Sequence, residues 1–119
     1  VTTYSVEIEV PDEHDIEGVD PGGSVTVEVD ESEYVLAAAR DQGVWLPAFC
    51  QQGWCTTCAA EVLDGDLDHS DAKRYYAVDA QAGFALTCVA TPRSDLRLRA
   101  CAEIAMKEHR EANGLQPTP

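Results

Sequence analysis

The sequence predicts an α+β fold, and three observations carry that prediction. Residues 3–10 and 24–29 each alternate apolar and polar side chains with a period of two. A helix-forming stretch, YVLAAARDQ, follows them and stops at Gly43. Further strand-like segments lie beyond it, at residues 59–63, 84–89 and 95–100.

Each element has its own signal. In the first strand Tyr4, Val6, Ile8 and Val10 share one face, and Ser5, Glu7 and Glu9 the other. PDEHDIEGVDPGG, residues 11–23, is acidic and rich in turn formers, so it reads as a solvated loop, with an electrostatic docking site for a partner as the alternative. Val25, Val27 and Val29 form the inward face of a second strand, expected to pair antiparallel with the first. Asp30 or Ser32 is the expected helix cap, and Glu31 and Glu33 suit the positive end of the helix dipole. Val35, Leu36 and Ala39 supply the buried stripe, and Gly43 the stop. Residues 59–63 form a strand ending in the turn Asp64-Gly65-Asp66. Ser70 or Asp71 is expected to cap a short helix over 72–77. Residues 84–89 read as a buried strand carrying Cys88. A helix over 101–112, with Ile104, Ala105 and Met106 apolar, ends at Asn113-Gly114. The expected organisation is one domain over 1–119: a core of about 4–100, a helical extension over 101–113 and a frayed tail over 114–119.

At 45% hydrophobic and 7% aromatic residues, the core must lean on Val, Leu, Ile and Ala. No apolar run reaches 18 residues, and residues 1–10 lack the pattern of a signal peptide, so a cytoplasmic protein is expected. The formal net charge is −14. Residues 1–33 hold 11 acidic side chains and no Lys or Arg; the rest of the chain holds 11 acidic and 8 basic ones. Such a chain repels nucleic acid and anionic membrane surfaces. Taken alone, the acidity reads as a solubility feature, with steering toward a basic partner as the sharper alternative. No catalytic triad, phosphate-binding glycine loop or dinucleotide fingerprint is present. His14, His69 and His109 lie far apart and read as surface residues. Trp45 reads as core or as a brace.

The five cysteines carry the chemistry. CQQGWCTTC places Cys50, Cys55 and Cys58 in nine residues, and Cys88 follows after 29 more. Structural zinc sites usually pair their ligands two by two, which fits this spacing poorly. A C-x2-C redox motif needs only two thiols. C-x4-C-x2-C with one distant cysteine is the plant-type 2Fe–2S spacing. Cys101 lies outside that pattern and reads as a small buried hydrophobe.

From about Tyr4 to Leu98 the chain resembles plant-type 2Fe–2S ferredoxins. YVLAAARDQGVWLPAFC, TTCAAEVLDGDLDHSD and GFALTCVATPRSDL carry the likeness around the cysteines. The resemblance implies a β-grasp fold, a mixed twisted sheet crossed by one main helix. It also implies a 2Fe–2S cluster held by Cys50, Cys55, Cys58 and Cys88, the first two on one iron and the last two on the other. The implied function is that of a monomeric one-electron carrier, not an enzyme. The alternative is a redox-silent zinc or interaction module.

Departures from the family pattern bear on partners. Gln51, Gln52 and Trp54 stand between the first two cysteines, and Trp54 suits either a lid or a partner contact. Lys73, Arg74, Tyr75 and Tyr76 occupy the place of the plant acidic run. Arg40, Arg97, Arg99, Lys107 and Arg110 add basic charge. The expected partners are therefore a flavoprotein reductase and a bacterial oxygenase or monooxygenase, not the photosynthetic pair.

Overall fold

The computed structural model describes residues 2–48, 57–72 and 75–115. Among these residues seven strands and three helices follow in the order β1 (Thr3–Glu9), β2 (Ser24–Asp30), α1 (Val35–Asp41), β3 (Ala59–Asp64), β4 (Leu67–Asp68), α2 (Ala77–Gln81), β5 (Phe84–Leu86), β6 (Thr91–Pro92), β7 (Leu96–Arg99) and α3 (Glu103–Ala112). The main sheet has the order β2-β1-β7-β3-β5. β1 and β7 run parallel, while the other neighbours in that sheet run antiparallel. The α+β β-grasp expectation holds, with a mixed sheet, one main helix and a C-terminal helix.

The alternating strands behave as their pattern demands. β1 and β2 pair in the register Val6↔Val27 and Ile8↔Val25. Val6, Ile8, Val27 and Val29 are buried with Leu96 and Leu98 of β7, and α1 adds Val35, Leu36, Ala38 and Ala39 to the same core. Gly43 ends α1 at φ +88°. Its N–H donates to Arg40 O at 3.0 Å and that of Val44 to Ala39 O at 2.9 Å, the paired bonds of a Schellman stop.

Several expectations are corrected. Neither Asp30 nor Ser32 caps α1. Asp30 Oδ1 instead accepts from Ser32 N and Oγ, at 3.0 and 3.1 Å, which closes a turn before the helix. The first helical N–H groups find distant carbonyls instead: Val35 donates to Ala90 O at 3.0 Å and Leu36 to Thr87 O at 2.9 Å. The short helix lies over Ala77–Gln81, not 72–77. Asp79 starts it by accepting from Tyr76 N at 2.9 Å, so Tyr75 and Tyr76 precede the helix. The strand expected over 84–89 stops at Leu86, and Cys88 sits in the turn that follows.

The 11–23 segment is not simply a solvated loop. Ile16 and Val19 are buried and bridge each other. Gly18, at φ +97°, lies so close to Gly43 that a Cβ would stand 2.0 Å from its carbonyl oxygen. Trp45 is not core: half its surface is exposed, and the Arg40 guanidinium lies 4.3 Å from its ring centroid. Arg110 is not surface charge. It is fully buried against Asp79, with Nη2 2.9 Å from Oδ2, and this pair joins α3 to α2. Arg97 and Arg99 lie beside Glu7 and Glu9 across the β1–β7 pairing.

Candidate metal centre

Cys58 and Cys88, 30 positions apart, meet with their sulfurs 3.2 Å apart. Both are almost fully buried. Cys58 immediately precedes β3, and Cys88 lies in the turn after β5, so the antiparallel pairing Ala59↔Leu86 brings them together. Thr87, itself buried, locks the pair: its Oγ1 donates to Cys58 O at 2.9 Å. Its own carbonyl takes the Leu36 N–H of α1. The main helix thus holds the turn that carries the fourth cysteine. Cys50 and Cys55 lie outside the described residues, as do Gln51, Gln52, Trp54, Lys73 and Arg74.

The described residues on either side of 49–56 are braced. Before it Arg40 donates to Leu46 O through Nη2 and Nε, at 2.8 and 3.3 Å, and Trp45 N–H donates to Glu17 O at 2.9 Å. After it Thr57 Oγ1 donates to Glu103 Oε2 at 3.1 Å, and Glu103 pairs with Lys107 at 3.5 Å. Ala102 N–H donates to Ala59 O at 3.1 Å, which ties the start of α3 to the strand behind Cys58. No local sequence signal announces Thr57–Glu103 or Asp79–Arg110, because their partners are 46 and 31 positions apart.

Two of the three histidines are structural. His69 stacks on Tyr75 with ring centroids 3.7 Å apart, and its Nε2 accepts the Leu86 N–H at 3.1 Å. Tyr75 donates to Phe84 O at 2.6 Å. Together they cover the outer edge of β5, whose unpaired backbone groups would otherwise be open. Burial pulls His69 down to about 4, against the opposing pull of Asp68 and Asp79. Burial also pushes Tyr75 up to about 12. His109 Nε2 lies 2.9 Å from Val78 O, between α3 and α2. Cys101 is half-buried rather than buried, at φ +63°, and burial followed by the nearby Glu13 carboxylate raises its thiol.

The donor chemistry fits an iron–sulfur group. Thiolates that share one tetrahedral metal at about 2.3 Å lie about 3.8 Å apart, so Cys58 and Cys88 reach that spacing by opening roughly half an ångström. Residues 19–93 match the family described as the 2Fe-2S iron-sulfur cluster binding domain.

The chain belongs to this family.

It is 42% identical over 98 residues to Ferredoxin-2 of Synechococcus sp., a match covering 82% of this chain and 84% of that protein. It is 38% identical over 84 residues to the reductase component DmpP of phenol 2-monooxygenase from Pseudomonas sp., covering 69% of this chain but 24% of that protein. The fold resembles the crystal structure of Pectocin M2, with a TM-score of 0.67 and 27% identity, over 87% of this chain. The chain spans about a third of the length of that protein. This ferredoxin is an electron-transfer protein with a 2Fe–2S cluster as its cofactor, not an enzyme. No helix among the described residues is long and apolar enough to cross a membrane.

Proposed function

We propose that Cys50, Cys55, Cys58 and Cys88 are the four ligands of the cluster, and that this ferredoxin takes electrons from a flavoprotein reductase and delivers them to an oxygenase or monooxygenase. The observation that supports the ligand set is the meeting of Cys58 and Cys88 at 3.2 Å. The similarity to the reductase component of phenol 2-monooxygenase supports the partner class.

The cluster supplies reversible one-electron chemistry. The protein's part is to hold it without rearrangement. Thr87 and the α1 N–H groups fix the Cys88 turn, and the Thr57–Glu103 and Ala102–Ala59 bonds fix the segment that leaves Cys58. Burial of both sulfurs keeps water from the ligand bonds at this end. The core of about 4–100 with its 101–113 helix acts as a single carrier unit, monomeric and soluble in the cytoplasm.

The purified protein is expected to be red-brown, and to give an EPR signal only after reduction, with two irons and two sulfides per chain. Changing any of the four cysteines to Ser is expected to lose or shift that signal. A colourless protein with stoichiometric zinc after anaerobic purification would overturn the reading. For the partner class, electron transfer from an oxygenase-type flavoprotein reductase is expected to outpace transfer from a plant-type ferredoxin reductase. The reverse order would sink it.

A further inference from the structure

We infer that the surface around the two ends of segment 49–56 is the docking face for the redox partner. It has an apolar centre at Ile104 and an acidic rim supplied by residues 11–23. It fits a partner protein whose contact face is apolar at its centre and basic at its edge. This rests on the carrier reading above.

Ile104 is 67% exposed on the first turn of α3. The same helix buries Met106 and Arg110 completely, so Ile104 is not needed to seat it. Ile104 lines a groove of about 150 Å³ with His14, Pro47, Thr57, Cys101 and Glu103. Pro47 precedes segment 49–56 and Thr57 follows it, so the groove lies against both of its ends. Trp45, the other large apolar side chain exposed among the described residues, stands two positions before Pro47. Single exposed apolar side chains are ordinary. An exposed Ile104 beside a groove that meets both ends of the cysteine segment makes a contact surface.

The rim settles the charge of the partner. Loop 11–23 is held in place: Ile16 and Val19 are buried, Gly18 sits on Gly43, and Glu17 O takes the Trp45 N–H. Its exposed Asp12, Glu13, Asp15 and Glu17 make no ion pair among the described residues. The basic side chains behave oppositely. Arg93, Arg97, Arg99, Lys107 and Arg110 each stand beside a carboxylate, and Arg40 covers Trp45. Among the described residues those five basic side chains are paired with carboxylates, while the loop beside the groove keeps its negative charge open. A fixed negative rim speeds encounter with a basic surface, and the apolar centre acts once the two are in contact.

The test follows stopped-flow oxidation of the reduced holoprotein by cytochrome c, a basic one-electron acceptor with an exposed haem edge. One electron leaves the protein, and the haem iron goes from ferric to ferrous. Glu13→Gln/Asp15→Asn is compared with a charge-matched pair, Asp64→Asn/Asp66→Asn, at the far end of β3, about 20 Å along the strand. At low ionic strength the loop pair is expected to lower the second-order rate constant about five-fold, and the β3 pair less than two-fold; in 1 M salt the difference vanishes. Ile104→Ser is expected to lower the rate about three-fold at both ionic strengths. Oxidation by a neutral benzoquinone, which needs no protein face, is expected to be unchanged in every variant.

Equal effects of the two charge pairs, or wild-type rates for Ile104→Ser, overturn the docking face while leaving the carrier reading intact. A wild-type protein that reduces neither acceptor overturns both. Concentration-dependent dimerisation abolished by Ile104→Ser assigns the patch to a second copy of the chain and overturns a redox partner there.

Discussion

Asp79 and Arg110 form an ion pair from which solvent is wholly excluded. Arg110 Nη2 lies 2.9 Å from Asp79 Oδ2, Nε lies 3.2 Å from both carboxylate oxygens, and the guanidinium lies 5.0 Å from the Tyr76 ring centroid. Asp79 also starts α2 through Tyr76 N–H. One carboxylate therefore both begins the short helix and anchors the C-terminal helix. Removing one partner of such a pair strands a buried charge, at a cost of about 3–5 kcal/mol. Arg110→Met is expected to destabilise the holoprotein by that order in urea unfolding followed by cluster absorbance. Asp79→Leu/Arg110→Met is expected to recover most of the loss, less about 1 kcal/mol for the missing bond to Tyr76.

His69 makes stability depend on pH. It must be neutral to accept the Leu86 N–H, and burial holds it at about 4 in the folded chain, against about 6.5 when unfolded. Above 6.5 the neutral form prevails in both states and the contribution is fully present. As pH falls from 6.5 to 4 the unfolded chain takes up a proton that the folded chain refuses, and stability drops by at most about 3 kcal/mol. Unfolding free energies measured between pH 7 and 4 are expected to show this slope. His69→Gln, which keeps an acceptor but does not titrate, is expected to remove it. An unchanged slope in that variant would assign the effect elsewhere.

Gly18→Ala tests how loop 11–23 is held. The position has φ +97° and no room for a Cβ against Gly43 O. Backbone strain and the clash together are expected to cost about 2 kcal/mol or more. Because the next contact along is Glu17 O with Trp45 N–H, Trp45 fluorescence is expected to change as well. Gly43→Ala meets no atom within 4 Å and is expected to cost only its positive φ, about 1 kcal/mol.

Cys101 separates ligand from bystander. It lines the groove beside Thr57 and Glu103, with its backbone in the left-handed region. Cys101→Ser is expected to leave the visible and EPR spectra of the cluster unchanged. Cys101→Gly is expected to relieve about 1 kcal/mol of backbone strain, partly offset by lost packing, in thermal unfolding. Loss of the spectrum in either variant would break the four-ligand assignment.

The main elements were legible because their signals are local. The two-residue period of Val6, Ile8, Val27 and Val29, and the Gly43 stop, need no distant partner. So was the cofactor, because four cysteines at family spacing, with their flanking segments, identify it without a structure. The errors fell where a local cue competed with a distant bond. Asp30 and Ser32 look like caps, yet carbonyls of Thr87 and Ala90 receive the first N–H groups of α1. His69 and Arg110 look like surface residues, yet they satisfy a strand edge and a buried carboxylate. Sequence alone determined what this protein carries. Only the tertiary structure decided how the site is braced, by Thr87, Glu103 and the turn that brings Cys88 to Cys58. Cofactor identity is a matter of side-chain chemistry and spacing along the chain. Bracing depends on hydrogen bonds between residues that become neighbours only when the sheet closes.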